Sequence, residues 1–502
     1  MKAMNLFTPS RSLRQTLVTT ACVAACLSAQ AATITISSRD AAGVGFNDTT
    51  IVAPVGGNPG TTLGQQRFNV YRYVADIWEQ NLQSAQAITV SAGWEALACS
   101  AGGATLGSAG AWNGWRDFPN APKAGTWYPQ ALANKLANVG MSLADFYGQL
   151  DDGTGYGNVD IKTQFNVNLG SANCLAGSPF YLGLDGLPPG TQVNLVATLL
   201  HELGHGLGFS VFTTNTATGV QTEGKPSIWE AFMVDNTSGK TWVQMSNAER
   251  VASAINFRQL GWSGANAVAG VPLVLDQGPT PLPKLTISGP AAGAAAGTKQ
   301  FGTAAFGPAL GIVPVLGELM PVVAQTTAAG LTGPGCGPLT AADARAVKNN
   351  IALIDRGVCG FAVKVKNAQV AGALGVLIGN TAAGAFGTMG GADASITIPS
   401  LMVTFADSNA LKAALIYRSR TSSGVISNMS GTPTGGQYVG TDGANRPLLY
   451  TPNPRIAGSS VSHWDTVATP SLLMEPAITP GLTTILTVPK DLTVPLLKDL
   501  GW

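Results

Sequence analysis

Two histidines four residues apart, with a glutamate directly after the first, stand in the run LLHELGHGLGF at residues 199–209. In a helix of about 3.6 residues per turn, His201 and His205 lie on one face, close enough for both imidazoles to bind one metal ion. Glu202 is turned by about 100° from His201, so its carboxylate can accept a proton from water at the metal without being a ligand. The spacing predicts a zinc site with a general base on one helix.

The third ligand has to come from elsewhere in the chain. A catalytic zinc site usually has three protein ligands and one open position, and the only other histidine is His463. Because the site would use every histidine, a chance group of buried histidines is the less favoured interpretation. Glu230 and Glu223, in TEGKPSIWEAF, are competing ligands that would make a glutamate-ligand peptidase. We favour His463, 258 residues after His205, because the residues after Glu230 lack the pattern that such a site needs.

The pattern H-E-x-x-H-x-x-G from His201 to Gly208 resembles the start of the metzincin peptidase motif. The third histidine of that motif would stand at position 211, which is Val211 here. The leishmanolysin-like branch supplies this histidine much later, and SHWDTVATPSLLMEP, with His463 and Met474, resembles its third ligand and methionine turn. The resemblance implies a zinc metalloendopeptidase in which Met474 is structural and packs beneath the site. The insertion in this chain is long enough to hold a whole further domain.

The sequence also predicts the elements that position these residues. The histidine helix is expected after residues 188–190 (PPG), with Thr191 as its N-cap and with glycines at its end. An earlier helix is predicted from 63 to 84, followed by the strand AITVSAGW. The apolar stripe of that helix comprises Phe68, Tyr71, Val74, Ala75, Trp78 and Leu82.

A different unit lies between two stretches rich in Gly, Pro and Ala, at about 266–300 and 425–460. The run NNIALIDRGVCGFAVKVKNAQVAGALGVLIGN predicts a strand, a turn, an amphipathic helix and another strand, typical of a small α/β or β-rich domain. RGVCGF followed by KVKNAQVAGALGVLIGN resembles the protease-associated (PA) domain. The resemblance covers residues 284–435 and implies a non-catalytic module, in which Lys364, Lys366 and Asn367 are structural.

Six cysteines are present, two of them, Cys22 and Cys26, in an apolar N-terminal run. An even number of the others in an oxidising compartment predicts two disulfides. Proximity in sequence favours Cys99 with Cys174 and Cys336 with Cys359, but the other two pairings remain open. A four-cysteine zinc site is disfavoured because there is no C-x-x-C spacing. Cys336, in GCGPL, stands where the PA family often places the partner of such a cysteine, so the resemblance also implies the pair of Cys336 with Cys359.

The N-terminus reads as an export signal over residues 1–31, with three basic residues before the apolar run and a small-x-small cleavage site. The alternative is a lipoprotein cleavage box that would leave a lipid anchor at Cys26. Without the signal, 25 basic residues stand against 27 acidic ones, a net charge of −2. No basic stripe indicates nucleic acid, and no later apolar run reaches the roughly 20 residues of a transmembrane span. We therefore expect a secreted, periplasmic or extracellular protein.

Together these features predict an α+β chain, a metzincin-like zinc protease domain at 32–283 and 436–502 that is split by an α/β PA domain at 284–435. The expected function is that of an exported metalloendopeptidase with one catalytic zinc ion, acting on proteins or peptides. The alternative is an exported binding protein whose PA domain recruits a partner and whose zinc site is structural or inactive. A structural site would need a fourth protein ligand, and the chain has no fourth histidine.

Overall fold

A computed structural model describes residues 30–101, 103–138, 159–277, 282–324, 332–383, 387–432, 436–479 and 482–502. Residues 1–29 of the predicted export signal, including Cys26, lie outside this part of the chain. The strands of the described residues are β1 (Ile34–Ser38), β2 (Ile88–Glu95), β3 (Cys99–Ser100), β4 (Gly103–Ala104), β5 (Gly107–Ala111), β6 (Gly114–Trp115), β7 (Tyr128–Pro129), β8 (Ile161–Asn166), β9 (Phe180–Tyr181), β10 (Val193–Asn194), β11 (Thr214–Asn215), β12 (Val220–Gln221), β13 (Met233–Asp235), β14 (Leu260–Trp262), β15 (Leu282–Ser288), β16 (Gly297–Lys299), β17 (Phe301–Gly302), β18 (Val315–Pro321), β19 (Ile351–Asp355), β20 (Gly375–Gly379), β21 (Ser400–Val403) and β22 (Ile426–Thr432). The α-helices are α1 (Leu63–Asn81), α2 (Gln130–Ala137), α3 (Leu195–Gly206), α4 (Asn247–Ser253), α5 (Ala265–Val274), α6 (Ala341–Val347), α7 (Phe361–Val370), α8 (Phe405–Ala414) and α9 (Thr493–Leu500).

The first large sheet has the strand order β1-β2-β8-β5. Its first three strands are parallel, and β5 runs antiparallel to β8 at one edge. Helices α1 and α3 contact each other, and α3 also contacts β5 and β8. The histidine helix therefore lies beside an edge strand of this sheet.

Helix α1 confirms the first predicted helix. It ends at Asn81, three residues before the predicted end at residue 84. The hydroxyl of Thr62 accepts the N–H of Gln65 and caps its start. The apolar stripe is buried apart from Phe68, which is 42% exposed. Phe68 stands at the margin of the stripe and makes an edge contact with Phe46, with 5.5 Å between ring centroids. Its assignment to the buried face was wrong.

The second large sheet has the order β16-β15-β22-β18-β19-β20-β21-β17 and runs in sequence from Leu282 to Thr432. Strands β18, β19, β20 and β21 are parallel neighbours, and helices α7 and α8 contact β20. Alternate residues of β19 enter two separate apolar clusters, since Leu353 belongs to one and Ile354 to the other. This arrangement is the α/β unit that the sequence predicts between its two Gly- and Pro-rich stretches.

The segments before and after this unit share one apolar core. Leu199 of α3, Trp464, Met474 and Leu497 all belong to the same cluster of buried side chains. Isolated bridges also join Gly261 to residue 448 and residue 449 to Trp464. The chain thus leaves this core before β15 and returns to it after β22.

Two disulfides join Cys99 to Cys174 and Cys336 to Cys359, the pairings favoured by proximity in sequence. The first lies in the part of the chain with the histidine helix, and the second lies within the inserted unit. Among the described residues, no helix combines the length and the apolar character needed to cross a membrane.

Candidate metal centre

Helix α3 begins at Leu195 because a short strand pair occupies the residues before it. Val193 and Asn194 form β10, which pairs with β9, and the Asn194 side chain accepts the N–H of Ala197 at 3.1 Å. Thr191 was predicted as the N-cap, and this was wrong. Its hydroxyl donates to the carbonyl of Gly177 at 2.9 Å and fixes the preceding loop instead.

The end of helix α3 places an acceptor beside the second histidine. Gly208 has a φ of +119°, a conformation that residues with a Cβ rarely adopt. The turn at this glycine brings the carbonyl of Phe209 to 2.7 Å from Nδ1 of His205. The glycine-rich end of the motif therefore helps to orient a candidate ligand.

His463 stands on a segment without regular secondary structure that pairs with the residues around Tyr450. The N–H of Tyr450 donates to the His463 carbonyl at 2.9 Å, and the N–H of Val461 donates to the Tyr450 carbonyl at 2.8 Å. The N–H of Trp464 donates to the Met474 carbonyl at 2.9 Å. These bonds connect His463 to the segment before it and to the predicted methionine turn after it.

The structure brings the three imidazoles together. Nε2 of His201 lies 3.1 Å from Nε2 of His205 and 3.2 Å from Nε2 of His463, and the last two atoms are 3.1 Å apart. Each Nδ1 contacts a backbone carbonyl at 2.7 or 2.8 Å, that of Leu473, Phe209 or Ser459 respectively. Such a contact requires Nδ1 to carry the proton, so each Nε2 presents a lone pair to the other two.

This donor set fits a zinc ion. Three unprotonated nitrogens repel one another unless a cation lies between them. Tetrahedral zinc with Zn–N bonds of about 2.0 to 2.1 Å holds its nitrogens about 3.3 to 3.4 Å apart, close to the separations observed here. Among the described residues, these histidines are the only group of three or more His, Cys, Asp or Glu ligand atoms that lie within 4.8 Å of one another.

Burial keeps the three imidazoles neutral, which is the form that binds a metal. It lowers the pKa of His201 to about 4 and that of His205, which also faces His201, to about 3. Burial beside the other two rings lowers the pKa of His463 well below its ordinary value. Their burial therefore disfavours imidazolium even in mildly acidic solution.

Glu202 is buried on helix α3 and is not among the clustered ligand atoms. Burial raises the pKa of its carboxyl to about 8, while the backbone N–H of Ala109 has the opposite, smaller effect. Ala109 belongs to the edge strand β5. The carboxyl of Glu202 thus lies between the histidine helix and the edge strand of the sheet.

The competing glutamates have other partners. Glu230 is buried and accepts hydrogen bonds from Thr214, from Nε2 of Gln221 at 2.7 Å and from the N–H of Ser227 at 3.2 Å. Glu223 pairs with an arginine, Arg116, at 2.8 Å. Neither carboxylate belongs to the described cluster of ligand atoms. The residue that lies beside the two histidines of helix α3 is His463.

Asp491 is a buried residue to which the sequence assigned no role. Its carboxylate accepts the N–H of Leu473 at 2.8 Å and the N–H of Thr493 at 2.7 Å. The carbonyl of Leu473 is the acceptor for Nδ1 of His201. Asp491 therefore holds Leu473, the residue whose carbonyl orients a candidate ligand, although nothing in the residues around Asp491 forms a motif.

The predicted structural residues of the inserted unit do hold its loops together. Nζ of Lys364 is buried and donates to the carbonyls of Pro334 and Gly357, on the two loops that carry the disulfide. Lys366 donates to the Ser395 carbonyl, and Asn367 donates to the Gly335 carbonyl.

Comparison with known protein families finds a match for one part of the chain. Residues 317–411, less than half of the chain, match the PA domain, which confirms that the chain contains such a domain. No curated protein sequence matches the chain significantly. The PA match leaves the metzincin resemblance of the flanking segments as a hypothesis.

Several solved structures are similar over part of the chain. An aminopeptidase from Aneurinibacillus sp. strain AM-1 is 20% identical with a TM-score of 0.21, and a zinc aminopeptidase from Bacillus subtilis is 17% identical with a TM-score of 0.22. Each match covers 44% of both chains, less than half the length of these relatives. A psychrophilic subtilisin-like protease from Pseudoalteromonas sp. AS-11 is 19% identical over 36% of this chain and 38% of its own, with a TM-score of 0.21. Similarity of this extent does not assign the activity of these proteins to this chain.

Proposed function

We propose that the protein is an exported zinc-dependent metalloendopeptidase. The observation that carries this proposal is the convergence of three Nε2 atoms within 3.2 Å of one another, each on an imidazole whose Nδ1 is bound to a backbone carbonyl. Three histidines leave an open position, as catalytic zinc sites do, whereas structural sites usually have four protein ligands.

His201, His205 and His463 would hold the ion. Zinc at this position would polarise a peptide carbonyl and lower the pKa of a water molecule. A cation held by the three histidines would favour the ionised form of Glu202 and so offset the effect of burial on its pKa. Its carboxylate would then accept a proton from the water as the water oxygen attacks the carbonyl carbon. When the C–N bond breaks, the same carboxyl donates that proton to the leaving nitrogen.

The edge strand beside Glu202 supports a peptide substrate. Among the described residues, β5 pairs only with β8, so its other edge has backbone N–H and C=O groups without a strand partner. An extended peptide can pair with such an edge through main-chain hydrogen bonds, largely independently of its sequence. The strand GSAGA has small side chains and is only partly buried, which leaves room for a peptide backbone beside it.

The proposal is tested by measuring zinc content and cleavage of casein on the same purified protein. We expect about one zinc per chain, cleavage within the polypeptide, loss of cleavage after chelation and recovery when zinc is restored. One zinc per chain without cleavage of any protein or peptide would favour the binding-protein alternative. A protein that binds no zinc would contradict the proposed metalloendopeptidase.

A further inference from the structure

Arg258 lies between the core that carries the three histidines and the inserted unit. Its φ is +58°, an uncommon conformation for a residue with a long side chain. Its backbone N–H donates to Oγ1 of Thr451 at 3.1 Å, and the Thr451 hydroxyl donates to the carbonyl of Asn256. A residue keeps such an unfavourable backbone conformation only where the surrounding structure compensates for it, which points to the contacts of Arg258.

On one side, Arg258 contacts the inserted unit. The guanidinium carbon lies 5.1 Å from the ring centroid of Phe301 in β17 and 4.7 Å from that of Phe257, distances typical of cation–π contacts. Nη1 donates to the carbonyl of Pro283 in β15 at 3.4 Å. Two strands of the inserted sheet therefore contact this one side chain.

On the other side, Arg258 pairs with Asp465, two residues after His463. Nε lies 3.2 Å from Oδ1 of Asp465, whose side chain is only 1% exposed. The same oxygen accepts the N–H of Val467, and the backbone N–H of Asp465 donates to the carbonyl of Leu448. The carboxylate thus anchors the end of the segment on which His463 stands.

We propose that Arg258 is a positioning residue that couples the inserted unit to the third ligand of the metal centre. This inference rests on the proposed function, because it takes His463 as a ligand. His201 and His205 share one helix, whereas His463 depends on tertiary contacts for its position. Without Arg258, the buried Asp465 carboxylate would lose its cation, and this loss would destabilise the position of the segment that Asp465 anchors.

The inference is tested by titrating the metal-free full-length chain with Co²⁺, whose visible absorption reports the geometry of its ligands. In Arg258→Met we expect the affinity for Co²⁺ to fall roughly 10- to 100-fold, the usual effect of removing a residue that holds a metal ligand in place. We also expect the absorption spectrum of the bound Co²⁺ to change. Arg258→Lys should recover part of the affinity because it keeps a cation opposite Asp465. Phe301→Leu should weaken binding by a smaller factor, because it removes the aromatic face and keeps an apolar side chain.

Arg446→Met is the matched control. Nε of Arg446 lies 2.7 Å from Oδ2 of Asp442, whose side chain is 4% exposed, and Nη2 donates to Asn236. This control removes an arginine from a similar pair, in which the Asp442 carboxylate accepts the N–H groups of Ala444 and Arg446 instead of groups of the His463 segment. We expect its Co²⁺ affinity and spectrum to match those of the wild type.

Equal affinity and identical spectra for wild type and Arg258→Met would overturn the inference while leaving the proposed function intact. An equal loss in Arg446→Met would also overturn it, since the effect would then be general. If Arg258→Met does not fold, Arg258→Lys and Phe301→Leu decide the matter, and wild-type binding in both would contradict the coupling. A wild-type chain that binds no Co²⁺ would overturn the metal centre as well.

Discussion

The thioether of Met474 lies against Cα of Gly204, so closely that a Cβ on Gly204 would stand 2.8 Å from Sδ and 3.1 Å from Cε. Gly204 lies between His201 and His205 on helix α3. Because Gly204 has no side chain, the turn of Leu473 and Met474 can approach the helix. The Leu473 carbonyl then reaches Nδ1 of His201. The glycine of HELGH and the methionine of LLMEP are thus in direct contact.

This contact predicts that substitutions at Gly204 and Met474 are not additive. Overpacking by Gly204→Ala should cost about 1 to 3 kcal/mol of unfolding free energy, partly offset by about 1 kcal/mol of helix propensity. Met474→Ala should cost about 2 to 5 kcal/mol. Because the added Cβ fills part of the space left by the thioether, the double variant should lose about 1 kcal/mol less than the sum. Denaturant unfolding of the metal-free proteins measures this, and strict additivity would refute the contact.

The identity of the third ligand can be tested with a pair of substitutions. His463→Ala should lower zinc content and cleavage together, since it removes one of three ligands. Glu230→Ala should retain zinc but lose about 2 kcal/mol or more of stability, because Ser227 N–H and the Thr214 and Gln221 side chains lose their acceptor. Metal analysis and thermal unfolding separate the two effects. Zinc loss in Glu230→Ala with zinc retained in His463→Ala would place the protein among glutamate-ligand peptidases.

Asp491→Ala should weaken zinc binding as well as stability. The substitution leaves the buried N–H groups of Leu473 and Thr493 without their acceptor, at a cost of about 1 to 3 kcal/mol each. Since Leu473 orients His201, zinc affinity should fall roughly 10-fold. Asp499→Ala is the control, because Asp499 accepts from the indole of Trp262 and from backbone N–H groups away from the histidines. Equal zinc affinities in the two variants would refute the role of Asp491.

Asp160 should give the protein a distinct pH dependence. Burial raises the pKa of its carboxyl to about 7, although the N–H of Thr89 and the amide of Asn134 donate to it. The carboxyl pKa of an aspartate in the unfolded chain is about 3.9. At a pH between the two pKa values, the native state therefore keeps a proton that the unfolded chain releases. Between about pH 4 and 7, this group lowers the free energy of unfolding as pH rises, by up to about 1.4 kcal/mol per pH unit.

Asp160→Asn lacks this titration and isolates its effect. The free energy of unfolding of the wild type minus that of the variant should decrease from pH 4 to pH 7 and then level off. Urea unfolding of both proteins across this range provides the measurement. A difference that stays constant with pH would mean that Asp160 is ionised throughout.

The sequence predicted the features of the site that depend on local spacing. His201, Glu202 and His205 follow from helical periodicity, and His463 follows from the histidine count. The N-cap was assigned three residues too early, at Thr191, because the pairing of β10 with β9 delays the start of the helix. That pairing depends on tertiary structure, which local propensity does not report.

The support around the candidate ligands could not be predicted. Asp491 accepts the N–H of Leu473, and Arg258 pairs with Asp465, which lies 207 residues later in the chain. Aspartates and arginines without a motif are usually surface residues, so their types carry no signal of these contacts. The alternating pattern of the inserted unit predicted its class, but the order of its eight strands required the three-dimensional arrangement.

The most direct test of the account is to measure zinc content and peptide cleavage on one preparation of Glu202→Gln. Glutamine keeps the size of the side chain but cannot accept the proton of the attacking water. We expect about one zinc per chain, as in the wild type, and cleavage reduced by about 10² to 10⁴-fold, the usual contribution of a general base. Cleavage near the wild-type rate with zinc bound would contradict the account, and loss of zinc would make Glu202 a ligand instead of the base.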